Sequence, residues 1–458
     1  MTAAGVRVPH ALLLVAIGAV LVCAAILWLS RMYTFYFDEW TFILPNGSSW
    51  TGYLQPHNEH PAMLPRVIYA VLLKTVGMRT YLPYMAVLLA LHATSVVLLF
   101  ALVRRRAGDL VAIAAAILLL VLGAGWENLL WAFQIGFVGS VACGLGALLA
   151  IQVSEPPHPR EARKASLAGP PHGVGRSWLA AVMLLASLMF SGIGLFFLVA
   201  AAIWLALTAG RRHELAWLVP IAAALGVWYA AYGHNGAPPK PLSLAGNLAS
   251  LPAYVVWGLG SSVAGLLGEG GVIGLVLLVL ALAAVGWTWR RHRPDGFAIG
   301  VAAALVAFYL VLGFNRAQLG YQQSGSGRYV YEGAVFWLLL LADAACDLPW
   351  RGTWRPALVA CIFLACFNSG VLLFSYSVAK TSQMQREAAD LQALAATRGD
   401  HCLNPTGAVD PLVMPQVTSP VDYYRAMDRY GDPGAAFPTV RGAHFDRARA
   451  NLVTPGCA

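Results

Sequence analysis

Charge is what this chain has least of. Only 11% of its 458 residues are Asp, Glu, Lys or Arg, where a soluble globular domain carries about a quarter, so its surface cannot be one that faces water all round. Short segments of alternating polar and apolar residues are also missing, which excludes an outer-membrane barrel. The formal net charge is +9, yet the basic residues sit in short clusters between apolar runs and form no basic face, which excludes nucleic acid as a partner. There is no repeat of fixed period, and hence no solenoid. Cysteines number seven. Cys23, Cys143, Cys346, Cys361 and Cys366 lie in or beside apolar runs as small hydrophobes. Cys402 and Cys457 lie in a polar tail and would suit a disulfide if that tail is extracytoplasmic.

What the chain does have is apolar runs. Hydrophobic residues make up 59%, mean hydropathy is +0.66, and stretches near the ~20 residues of a spanning helix recur. The fold class expected is an all-α polytopic membrane protein of about 11 transmembrane helices: 11–30, 81–103, 110–123, 132–153, 178–190, 194–208, 215–232, 272–289, 297–314, 333–345 and 356–376. The first is long enough to be an uncleaved anchor instead of a signal peptide. Residues 61–77 are apolar but short and carry Arg66 and Lys74, and 251–267 is broken up by Ser, Gly and Trp; both are expected at the interface. With the N-terminus cytoplasmic, every arginine cluster between spans falls on the inside. Fourteen Arg and Lys then lie in inner loops, against seven in the short outer and interfacial segments. The expected organisation is a transmembrane domain over 1–376, with a first outer loop at 31–79, followed by an extracytoplasmic segment over 377–458 that continues helically to about Ala396.

Polar residues that need a reason collect on the outer side. The first outer loop runs Tyr36-Phe37-Asp38-Glu39-Trp40 and closes on His57-Asn58-Glu59-His60. Later outer segments contribute Glu127, Asn128 and Gln134, then His234, Arg316, Tyr321, Arg328 and Tyr329. Ionisable groups at membrane depth usually carry function because lipid does not solvate them, an inference that weakens at the interface, where water is within reach. Plain alternatives stand beside it. Asp38 could mark a helix start, and His57 and His60 could be interfacial polar residues. Trp50, Trp126 and Trp131 suit aromatic-belt anchors, Arg328 a snorkelling side chain, and Glu127 a surface acid.

An acidic pair just after the first span, a following interfacial helix and a late outer Gly327-Arg328-Tyr329 resemble the GT-C superfamily of integral-membrane glycosyltransferases. The Trp126-Glu127-Asn128 and Trp131-x-x-Gln134 segments, with His57-Asn58-Glu59-His60, resemble bacterial members of that group, mannosyltransferase- or arabinosyltransferase-like. The resemblance implies a GT-C-like fold in a bacterial cytoplasmic (inner) membrane, with the active site and C-terminus extracytoplasmic. It implies transfer of a sugar from a polyprenyl-phosphate donor to a saccharide, lipid or protein acceptor, and it maps the catalytic aspartate to Asp38. A single displacement would invert the anomeric centre. The donor's phosphate is already a good leaving group, so the protonated acid of a glycosidase is dispensable. One base on the acceptor hydroxyl and cations on the departing phosphate suffice.

Arg328 is the first candidate for that phosphate, with Arg66 and Arg316 behind it, because arginine offers bidentate contacts to phosphate oxygens. Glu39 would orient Asp38, bind the acceptor or help hold a divalent ion. His57, Asn58, Glu59, His60, Glu127, Gln134 and Tyr329 are candidates for substrate contact. Glu39, His57, Glu59 and His60 are candidate ligands for Mg²⁺, Mn²⁺ or Zn²⁺, although the His-Asn-Glu-His run lacks the i, i+4 spacing of a helical zinc site. Two rivals share the lipid-linked sugar: a flippase or transporter, and an O-antigen polymerase or ligase. The first predicts ionisable residues deep within spans, where this chain is nearly free of charge. The second usually keeps its key residues in a large late outer loop.

Overall fold

The computed structural model describes residues 8–44, 50–154, 174–236, 244–345, 352, 354–454 and 457. Cys346, Lys240, Pro238, Pro239, Arg351 and most of the expected inner loop at 154–176, with Arg160, Arg163 and Lys164, lie outside the described residues. Every regular element among the described residues is helical; isolated bridges at His57–His60 and Leu403–Val453 stand where strands would be. In order the helices are α1 (Ala11–Leu29), α2 (Trp40–Ile43), α3 (Trp50–Leu54), α4 (Met63–Thr75), α5 (Leu82–Ala107), α6 (Asp109–Leu120), α7 (Trp126–Leu130), α8 (Ile135–Val153) and α9 (Val174–Phe190). There follow α10 (Gly194–Leu207), α11 (Val219–Ala231), α12 (Leu244–Gly265), α13 (Val272–Arg291), α14 (Gly296–Arg316), α15 (Gly327–Ala345), α16 (Trp354–Thr397), α17 (Pro420–Tyr430) and α18 (Ala443–Leu452).

The chain is a polytopic helical membrane protein, expected from its sequence to have about 11 spans. Among the described residues eight helices are long and apolar enough to cross, or nine if α6 and the segment Gly123–Leu130, bent by 41°, form one broken span. Three expected spans do not by themselves meet that length and apolarity. Stretches 178–190 and 194–208 form short apolar helices separated at Ser191-Gly192-Ile193. Stretch 333–345 belongs to α15, which carries Arg328, Glu332 and Asp343. Stretch 251–267 is one of the two expected at the interface. It lies mostly in α12, which length and composition admit as a span. Both ends of α12 nonetheless pack on one end of the bundle: Asn247 donates to the Phe314 carbonyl, and Gly265 lies against Ala124 and Val330. Helix α4, with 13 residues, reaches only about 20 Å, short of the ~30 Å hydrocarbon core.

Side-chain pairing separates the two ends of the bundle. At one end Arg106 bonds Asp343 at 2.7 Å and Asp295 at 2.8 Å, Arg104 bonds Asp109 at 2.6 Å, and Arg211 bonds Glu214 at 2.6 Å and the Ile151 carbonyl at 3.0 Å. Segments expected to share the cytoplasmic side thus do come together. The other end carries the first loop and the tail. Helix α16 has 44 residues, about 66 Å, so it runs on well past any bilayer core without a break at 376. The tail folds back along it, closed by a Cys402–Cys457 disulfide with Cα atoms 5.5 Å apart and by the Asp410–Arg447 pair. It is pinned to the turn after α4, where Met78 donates to the Tyr430 carbonyl at 2.8 Å. Gly77 fits there because its φ is 69° and because any side chain would collide with that same carbonyl.

Candidate active site

The first loop is set by an aromatic floor. Phe35 packs edge-on against Tyr81 and Tyr84 at 5.2 and 4.8 Å, and Tyr36 stacks on Trp131 at 5.1 Å. Next comes a single 3₁₀ turn, Phe37–Glu39, entered through Phe37 at φ 54°, an uncommon conformation for a bulky residue. That turn separates two consecutive acids. Glu39 points into the protein and is fully buried, taking hydrogen bonds from Tyr69 at 2.6 Å, Tyr81 at 2.8 Å and the Tyr36 amide at 3.0 Å. The Tyr81 hydroxyl in turn accepts the Ala132 amide at 2.9 Å, so Glu39 ties the first loop to the loop before α8. Burial raises the Glu39 pKa to about 7, against the opposing effect of those hydrogen bonds and of Lys380. Glu39 does not line the cavity described next and acts as an internal brace.

Asp38 faces the other way, into a narrow cavity of about 40 Å³, small against the ~300–1,000 Å³ of ordinary ligand sites. His57, Asn58, His60, Gln134, Arg316, Arg328 and Tyr329 line it too, with Phe42, Phe133 and Phe137 as apolar walls and Ser191 at the α9–α10 break. His57 and His60 exchange backbone hydrogen bonds at 3.0 and 3.1 Å, a tight turn that places Asn58 at φ 50° and holds both rings together. The His57 ring bonds Thr41 through Nδ1 at 3.3 Å. Its Nε2 stands 3.7 Å from Asp38 Oδ2, beyond hydrogen-bond length, and has no other partner among the described residues. Asp38 Oδ1 accepts a hydrogen bond from Gln416 at 3.2 Å. Gly192 leaves room for His60, whose Nδ1 would be 2.8 Å from any side chain there.

The two arginines of the cavity are not equivalent. Arg316 gives two hydrogen bonds, 3.0 and 2.6 Å, to one oxygen of Glu59, so its charge is matched within the protein. His60 and Arg316 hold the Glu59 pKa below its usual value despite burial, while burial lowers that of His60 to about 4. Arg328 is held by its backbone amide, which donates to Glu127 Oε2 at 2.9 Å; its own Nε lies 3.4 Å from that oxygen and is buried without a hydrogen bond. Glu127 therefore positions Arg328 and does not line the cavity. Asn128 extends the same support, donating to Glu332 at 2.9 Å. Gln134 is 1% exposed and its Oε1 has no partner among the described residues, an acceptor at the cavity wall. Arg66 is placed elsewhere. It lies over the Phe42 ring at 4.9 Å and lines an adjacent groove.

The four-residue metal set does not assemble. Glu39 is enclosed by tyrosines and Glu59 is committed to Arg316. Among the described residues, the one His/Cys/Asp/Glu group with converging ligand atoms is His401, Cys402 and Cys457, whose sulfurs are joined in the disulfide. These donors do not fit a metal centre, and no chemical step is assigned to one. Gln416 and Ser191 had no signal in the sequence: an uncharged residue in a tail and a serine in an apolar stretch become site residues only through packing. The chain matches no protein-family model, no curated protein and no solved structure.

Proposed function

We propose that this protein is an inverting glycosyltransferase that takes a sugar from a polyprenyl-phosphate donor at the end of the bundle where the first loop lies. The observation that carries the reading is the convergence in one cavity of Asp38 and His57 from the first loop with Arg316 and Arg328 from the far end of the sequence. In the proposed step Asp38 takes the proton of the acceptor hydroxyl, and the freed oxygen attacks the anomeric carbon. The bond from that carbon to the phosphate oxygen breaks, and the electron pair leaves with the phosphate. Arg328, whose guanidinium is the less neutralised of the two, would meet the charge that develops on the phosphate. Arg316 and Glu59 would fix the wall beside it. Gln416 holds one oxygen of Asp38 by a hydrogen bond, and His57 stands 3.7 Å from the other. The cavity draws all its lining residues from one end of the bundle, which supports chemistry at a surface over a transport route through the core.

The test is Asp38→Asn in membranes supplied with a panel of polyprenyl-phosphate sugars and envelope acceptors. Loss of general-base catalysis predicts a fall in transfer of about 10²–10⁴-fold at unchanged expression and melting temperature. Near-normal transfer by a folded variant would remove Asp38 from the mechanism.

A further inference from the structure

Next to the cavity lies a larger groove of about 460 Å³, walled on one side by the first loop and α4 and on the other by α17 of the tail. Its charged lining is of one sign: Arg66, Lys74, Arg425 and Arg429, with no acid among the described lining residues. Arg425 is paired with Asp422 at 3.0 Å. For the others no ion pair is found among the described residues, and Arg66 has its Nε buried without a hydrogen bond. A guanidinium taken partly out of water and left unpartnered is costly unless an anion completes it.

Helix α4 also divides by face. Residues 66, 70, 73 and 74 recur at helical spacing and line the groove, while Val67 and Val71, 43% and 54% exposed, lie on another face. A helix too short to cross, with an exposed apolar stripe beside a basic groove, sits where lipid headgroups sit. Phe42 lines both the groove and the Asp38 cavity, and Thr41, which lines the groove, bonds His57. We propose that this groove binds the phosphate headgroup of an anionic lipid, held by Arg66, Lys74 and Arg429. Resting on the glycosyltransferase reading, that lipid is the acceptor, its headgroup hydroxyl reaching Asp38 past the Phe42 ring.

The experiment uses the full-length purified protein and measures retained lipid by native mass spectrometry, with phosphatidylglycerol against phosphatidylcholine as probes and soluble glycerol phosphate as competitor. Expected is a preference for phosphatidylglycerol of about tenfold or more, lost in the Arg66→Gln/Lys74→Gln/Arg429→Gln variant and kept in Arg425→Gln. Equal retention of both lipids by the native protein, or an unchanged preference in the triple variant, overturns the proposal. Displacement by glycerol phosphate at concentrations comparable to the lipid overturns the lipid source in favour of a soluble phosphate. Asp38→Asn must keep the lipid preference in full. Its loss of transfer bears on the catalytic reading alone, so the two can fail separately.

Discussion

The two ends of the bundle use charge in opposite ways. At one end Arg104, Arg106 and Arg211 each meet a carboxylate at 2.6–2.8 Å, and Arg106 meets two. At the other end, among the described residues, Arg328 has its Nε unbonded, Arg66 lies over a ring without an ion pair, His57 stands off from Asp38, and Gln134 keeps a buried oxygen without a partner. Burial is expensive for polar groups in both places, so charged groups left incompletely paired around one cavity mark where something from outside is expected to complete them. The same contrast appears between adjacent residues. Glu39 is satisfied by three donors and braces the loop; Asp38, one residue earlier, has a single donor and an open cavity.

The largest effect should come from removing an incompletely paired charge and reading activity. Arg328→Gln is expected to lower transfer about 10²–10³-fold, as loss of a transition-state donor does, with a melting temperature close to the parent. A large loss of stability instead would place Arg328 with the structural arginines and break the comparison. Arg106→Gln should do the reverse: it breaks a partly buried pair with Asp343 and an exposed one with Asp295, read as a drop in thermal stability in detergent with transfer kept.

A smaller effect concerns Glu39. Its folded pKa of about 7 lies above the unfolded 4.5, so its contribution is fully present below pH 4.5 and is lost as pH rises through about 7. The shift corresponds to about 3 kcal/mol across that window. Glu39→Gln should flatten this part of the stability curve while keeping transfer. An unchanged curve would mean the carboxyl is not buried as described. His60 slopes the other way and more weakly, its side chain being 22% exposed. Its folded pKa of about 4 lies below the unfolded 6.5, so its contribution is present above pH 6.5 and is lost as pH falls through about 4. His60→Asn should flatten the stability curve between about pH 6.5 and 4, measured by melting temperature at each pH.

Much of this was legible before folding was considered. Apolar runs of spanning length identify a helical membrane protein, because hydropathy is a local sum over neighbouring residues. The shortness of 61–77 gave α4, and two lone cysteines in a polar tail gave the disulfide. The site list was legible as a set of residue types at one end, and Asp38, His57, Asn58, His60, Gln134, Arg316, Arg328 and Tyr329 do share one cavity. Less visible were the roles. Nothing local distinguishes Asp38 from Glu39, since a 3₁₀ turn sends neighbouring side chains to different sides and only Tyr69 and Tyr81 decide which is enclosed. Two fully buried acids in α16, Glu387 and Asp390, had no sequence signal either, and they have no hydrogen-bond partner among the described residues.

By itself the sequence determined the solvent of this protein, the helical state of its segments and the end at which its unusual charges gather. All of these follow from composition within a window of some twenty residues. Tertiary structure decided the rest: that α12 starts and finishes at the same end, that Arg66 belongs to a groove of its own, and that Gln416 reaches back to Asp38. These are contacts between residues far apart in the chain, set by which faces pack together, and no local pattern encodes them.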